Sequence, residues 1–215
     1  MKIRWKAAIV GCLLPITAMS TEIAATKDPL GETLYNQHPW MLTYYYGVTG
    51  DNALLSMIVG NFNRWPEHIQ SAELAKTLAE DNPIRRFFYP IVGVVQFAGV
   101  FTVRTGSHEH RIYEFNPYIA FRWANFPWNH YVPTSLAIGE GVSYASSVPW
   151  IEKIGNQNTK RFLNYLMFEA TFALPSYPQW QILARIHHRS GAFGLYHAGN
   201  SGSNVIGLGL RYLFD

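Results

Sequence analysis

Residues 180–214 read WQILARIHHRSGAFGLYHAGNSGSNVIGLGLRYLF. Two runs, 180–190 and 203–214, alternate apolar with small or polar residues, and a Gly/Ser/Asn-rich loop joins them. Successive side chains of a strand point to opposite faces, so the two parities of each run can be read apart. One face carries Trp180, Ile182, Ala184 and Ile186, and Ile206, Leu208, Leu210, Tyr212 and Phe214 repeat it on the second run. The other carries Gln181, Leu183, Arg185, His187 and Arg189, then Val205, Gly207, Gly209 and Arg211. An apolar outer stripe over a small or polar inner face is the pattern of a membrane-spanning barrel strand. The outer stripe ends in His188 and Ser190, and Asn204 continues it on the second run.

The rest of the chain carries the same message. It has 215 residues, one cysteine, 15% aromatic residues and only 14% charged ones. Lys2, Arg4 and Lys6 precede an apolar run from Ala7 to Ile16 and then Ala18-Met19-Ser20, so residues 1–20 read as an export signal. A lipoprotein-type reading of Cys12 is disfavoured, because few apolar residues precede it and the run continues beyond it. Removing this segment takes away three of the 17 Lys+Arg and none of the 14 Asp+Glu, leaving equal numbers of each sign. A neutral mature chain gives no electrostatic case for nucleic acid. No mature segment is a long apolar run of the kind a spanning helix needs.

Residues 21–38 read as a flexible lead, and the barrel domain is expected over 39–215. Strands are expected at 40–48, 68–78, 92–104, 111–123, 135–146 and 162–174, before the closing pair. Residues 51–61 fit a short helix as well as a strand and are placed in the first outer loop. The expected fold is all-β, an eight-stranded antiparallel transmembrane barrel, whose interior is filled by side chains. Glu114, Glu140, Glu169, Arg104, Arg122, Arg185 and Arg211 are expected to face that interior and to neutralise one another. Pro117 inside the fourth run predicts an edge or a bulge, since proline lacks a ladder donor. A soluble lipocalin-like barrel would put its bulky apolar face inward, and the sparse, arginine-rich polar parity argues against that.

His188, Ser190 and Asn204 on the outer face need an explanation, because an unpartnered polar group in hydrocarbon costs several kcal/mol. Two readings stand open. The residues sit at headgroup level, or they form an acyl-hydrolysing site in which histidine takes the serine proton and a third group fixes the ring. A loop closing symmetrically about His197 puts Ser190 opposite Asn204, and a bend at Arg189–Ser190, eased by Gly191, would bring the side chains at 188 and 190 together. His187 is expected in the interior, and His197 in the loop. His108 and His110 lack the partner cluster a metal site needs.

The segment Ile186-His187-His188-Arg189-Ser190-Gly191, followed by the loop and Asn204-Val205-Ile206, resembles the lipid A 3-O-deacylase (PagL) family. Phe115-Asn116-Pro117 and Gly139-Glu140-Gly141 are compatible with it, and the apolar C-terminal run resembles the recognition signal of outer-membrane barrels. The resemblance implies an outer-membrane enzyme that hydrolyses an ester-linked acyl chain of lipopolysaccharide without metal or cofactor. Its partners would be lipid A and the surrounding outer-membrane lipids, with a homodimer left open. Carried over, Ser190 is the nucleophile and His188 the general base and acid. Asn200 is the loop asparagine that helps bind the oxyanion. Gly191 stands where the family has asparagine, its backbone N–H a second oxyanion donor. Asn204 stands where the family has glutamate, and in serine proteases such an acid-to-amide change costs about 10⁴ in kcat. A non-catalytic lipopolysaccharide-binding or structural barrel and a small pore are the competing readings.

Overall fold

The computed structural model describes residues 30–106, 111–154, 158–199 and 201–215. The expected export signal, His108, His110 and Asn200 lie outside the described residues. Eight antiparallel strands follow in chain order: β1 (Trp40–Gly50), β2 (Arg64–Thr77), β3 (Val94–Thr105), β4 (Ile112–Trp123), β5 (Thr134–Ala145), β6 (Phe162–Leu174), β7 (Tyr177–Ser190) and β8 (Gly202–Phe214). β8 returns to pair with β1 from Trp40↔Phe214 to Gly50↔Asn204, which closes the barrel. Closure is what a sheet in hydrocarbon requires, because an open edge would leave a row of backbone groups unpaired.

Among the described residues, four short α-helices lie outside the sheet: α1 (Glu32–Gln37), α2 (Leu54–Ile58), α3 (Pro83–Phe88) and α4 (Trp150–Lys153). None among the described residues is long and apolar enough to cross a membrane. The crossing is made by strands, whose outward side chains are large and apolar around the whole circumference. Leu42, Leu74, Phe101, Phe115, Ile138, Phe172, Ile182 and Leu208 are all exposed. α2 falls in the first loop, where a short helix was one of the two expectations.

The interior holds the charges. Arg185 reaches Glu73 and, at 2.5 Å, Glu169. Arg211 and Arg122 each approach Glu169 at 2.7 Å, and Arg104 meets Glu114 at 2.7 Å. Arg189 donates to Glu152 at 2.9 Å. Tyr118 adds a hydrogen bond to Glu73 at 2.6 Å, and Tyr45 pairs with His187 Nδ1 at 2.9 Å. The expectation of a paired interior holds for six of the seven residues. Glu140 is the exception: it lies on the outer face with Leu136 and Ile138. The glycines of β5 blur its parity in the sequence. Gly139 is the inward residue, and a Cβ there would sit 2.6 Å from the Tyr118 ring. Glu67, Glu73 and Glu152, not anticipated, complete the acidic side.

Both ends of the interior are stoppered. At one end α1 inserts Leu34 and Tyr35 against Met41, Ala75, Val94, Ala124 and Leu213. Tyr35 OH lies 3.0 Å from Ser135 Oγ. The expected flexible lead is therefore helical at its end, because burying two large apolar side chains contributes roughly 1.5–3 kcal/mol each. At the other end α4 sends Glu152 inward to Arg189 and to Ser203 Oγ at 2.7 Å. Pro117 makes neither an edge nor a bulge. The β4–β5 register is the same at Phe115↔Tyr144 and Tyr118↔Gly141, and only residues 116 and 117 drop out of the pairing. Gly141 permits this close approach, since a Cβ there would stand 2.2 Å from Pro117 O.

Two outcomes follow from this architecture. The folded barrel is expected to migrate faster unboiled than boiled on a denaturing gel, and identical mobilities would contradict closure. Arg185→Leu removes the cation that bridges Glu73 and Glu169 most closely and leaves Arg211 as their one shared arginine among the described residues. It should cost about 3–5 kcal/mol, read as a lower urea midpoint for loss of the fast-migrating form.

Candidate functional site

The outer wall over β5 to β8 can be laid out row by row from the strand registers. Leu136, Ala170, Ala184 and Leu208 face one another across the four strands. The next row toward the α2 end is Ile138, Phe168, Ile186 and Ile206. Then come Glu140, Leu166, His188 and Asn204, and last Val142, Asn164, Ser190 and Gly202. Rows two residues apart are about 7 Å apart along the strands. The polar residues thus occupy two adjacent rows above an apolar field.

The observed register corrects one expectation. His188, not Ser190, stands opposite Asn204, and Ser190 faces Gly202. Ser190 has no room for a larger partner, since a Cβ at position 202 would come within 2.5 Å of Arg189 O. The loop closes off-centre around this pair: Gly191 N–H donates to Ser201 O at 2.8 Å, and a 3₁₀ turn (Ala192–Gly194) follows. Ala192 and His197 take left-handed φ values of 45° and 53° to complete it. The shift by two residues keeps every side chain on its expected face.

His188 Nδ1 lies 2.5 Å from Asn204 Oδ1. Asn204 Nδ2 in turn donates to the backbone carbonyl of Asn52, at 2.8 Å, in the segment leading into α2. That second bond fixes which end of the amide is which. The oxygen faces the ring, so Nδ1 carries the proton and Nε2 keeps its lone pair. Asn52 is itself held by Asn63 N–H donating to its Oδ1 at 2.5 Å. The clasp buries Asn204 to 9% exposure although it belongs to the outer face, which satisfies a polar group that bare hydrocarbon would penalise.

Ser190 shares this face two residues from His188. No bend brings them together: the β6–β7 pairing runs regularly through Tyr165↔Arg189 and Asn164↔Ser190. Arg189, pinned inside by Glu152 and by Arg161 O at 3.2 Å, holds the strand straight. Among the described residues, Ser190 Oγ makes no hydrogen bond to His188. Gly191 N–H is taken by Ser201 O, so it is not a free oxyanion donor as expected. Asn164 stands directly across from Ser190 in the β6–β7 pairing. It was visible in the sequence only as a break in the apolar parity of its strand.

His188, Ser190, Asn204, Gly191, Asn164 and Glu140 line one groove of about 590 Å³, walled on one side by Ala53 and Leu54. An apolar furrow of about 820 Å³ lies on the same wall, lined by Ile138, Phe168, Ile186, Ile206 and Leu208 with Met57 and Ile58 of α2. Its floor is recessed where Ala170 and Ala184, two small outward residues, are paired. His187 faces the interior as expected, stacked edge-on against Tyr165 at 4.8 Å. His197 lies exposed in the β7–β8 loop. No cluster of three metal-ligating side chains occurs among the described residues.

No protein-family model and no curated protein matches the chain. Solved structures do resemble it, at low identity. The outer membrane enzyme PagL matches with 14% identity and a TM-score of 0.49 over 81% of this chain and 99% of that one. OprG from Pseudomonas aeruginosa matches with 11% identity and a TM-score of 0.38 over 87% and 99%. Ail, the attachment invasion locus protein of Yersinia pestis in complex with the heparin analogue sucrose octasulfate, matches with 15% identity and a TM-score of 0.34 over 81% and 97%. The chain is similar to these outer-membrane proteins in its barrel.

Proposed function

We propose that the chain is an outer-membrane lipid esterase that hydrolyses an ester-linked acyl chain of lipopolysaccharide, with Ser190 as nucleophile and His188 as its base. The observation that carries this reading is the Asn52–Asn204–His188 chain of hydrogen bonds, which leaves His188 Nε2 as an acceptor in a groove shared with Ser190. A serine hydroxyl is a poor nucleophile until a base takes its proton, and only the tautomer with a free Nε2 can do so. The 188–190 pair is not in hydrogen contact, as is common for catalytic pairs before substrate arrives.

In the proposed reaction, Ser190 Oγ attacks the ester carbonyl while His188 Nε2 takes its proton. His188 then returns that proton to the departing sugar oxygen, and water releases the fatty acid from the acyl-enzyme by the reverse use of the same base. Asn164, and Asn200 by resemblance, would donate to the oxyanion. The apolar furrow gives the acyl chain a surface beside the reacting carbonyl. Asn204 orients the ring but carries no charge to balance the imidazolium, so the enzyme is expected to be slow. The export-signal pattern read in residues 1–20 and the apolar outer wall support placement in the outer membrane, with the groove at the outer leaflet.

The amide at position 204 also favours a second reading, a barrel that binds lipopolysaccharide and no longer cleaves it. Mass spectrometry of lipid A from cells making the wild-type protein should show loss of one acyl chain, and Ser190→Ala should abolish that loss. Equal acylation in both, with the barrel folded, removes the esterase reading. Asn204→Glu supplies the missing charge and should raise the rate at least tenfold, up to about the 10⁴ that the acid contributes in serine proteases. Hydrolysis seen only in that variant would favour the second reading.

A further inference from the structure

We propose that Glu140 is the headgroup-recognition residue of the groove, accepting hydrogen bonds from sugar hydroxyls or a protonated amine of the lipid bound there. The proposal rests on the lipid-binding groove of the preceding section and not on its hydrolytic step. Three observations carry it. Glu140 points out of the barrel, in the row Glu140–Leu166–His188–Asn204, so it lies on the same wall and at the same depth as the candidate base. It lines the groove that holds Ser190. Its polar neighbour among the described residues is the amide of Asn164, which stands directly across from Ser190.

A carboxylate on the outer wall, even in its polar rows, is costly unless partners cover it. The five buried arginines inside the barrel are committed to other carboxylates and lie behind the wall. The Asn164 amide covers one side of the carboxylate, so the donors for its open side come from outside the barrel. An ionised carboxylate only accepts hydrogen bonds. It takes hydroxyl or ammonium donors and repels phosphate, so the part of the headgroup beside Glu140 is a hydroxylated or amino-bearing sugar face. Any phosphate of the same lipid lies away from it. Leu166 separates Glu140 from His188 in the row, which keeps the carboxylate for the headgroup instead of the base.

The test uses the full barrel in phosphatidylcholine nanodiscs, titrated with dodecyl glucoside, dodecylamine or dodecyl phosphate. Binding is followed by amide shifts at Gly139, Gly141 and Leu166. The glucoside and the amine should bind about tenfold or more tightly than the phosphate. Glu140→Ala should weaken them about ten- to a hundredfold and erase the discrimination, the range expected for hydrogen bonds to a charged group. Glu140→Gln should keep part of the glucoside affinity and lose that for the amine. Unaltered discrimination in Glu140→Ala overturns the proposal, whether or not the wild type cleaves esters. Selectivity that follows Glu140 in a protein without hydrolysis would uphold it and remove the esterase reading alone.

Discussion

A side chain on the outer wall of this barrel has hydrocarbon for its solvent, and the rest of the molecule follows from that. Backbone groups must be paired within the sheet, so β8 returns to β1 and no edge is left. Charges must go inside, where arginines and glutamates satisfy one another. Polar groups that remain outside need partners of their own. Asn204 obtains one from the carbonyl of Asn52, and His188 obtains one from Asn204. The same rule that hides charge elsewhere makes the few exposed polar residues conspicuous.

That contrast organises the candidate site. Four rows of outward residues on β5 to β8 pass from an apolar furrow to a polar groove within about 20 Å of strand. In the proposed function, an amphiphile would lie against this wall with its chain along the furrow and its head at the polar rows. α2 contributes to both regions, through Leu54 beside the groove and Met57 and Ile58 beside the furrow. The first outer loop is thus a side wall of the site as well as the clasp on Asn204.

Much of this could be read from residue order. Period-two alternation marked most of the strands, β2 and β5 least, and the outward face of His188, Ser190 and Asn204 was correct because parity survives a two-residue shift in register. The partner of Ser190 was not legible, since it depends on how the 191–201 loop folds back and on the lack of space for a Cβ at position 202. Glu140 was misplaced because glycine fits either face and gives no parity signal. The role of Asn52 was hidden for a different reason: it acts through a backbone carbonyl, which every residue has. Glu73 was overlooked because alanines dilute the pattern of β2. Tyr35 lies in a segment read as a flexible lead, and its burial inside the barrel end was not foreseen.

The interior ion network has a consequence for how the molecule is made. Glu73 belongs to β2, Glu169 to β6, Arg185 to β7 and Arg211 to β8, so the central cluster joins strands from both ends of the chain. A sheet of the first six strands alone would hold Glu73 without Arg185 or Arg211, and Glu169 with Arg122 but without those two. Charge neutralisation is therefore completed only at the seam, when the last two strands meet the first. Lumen neutralisation and ring closure thus depend on the same last two strands.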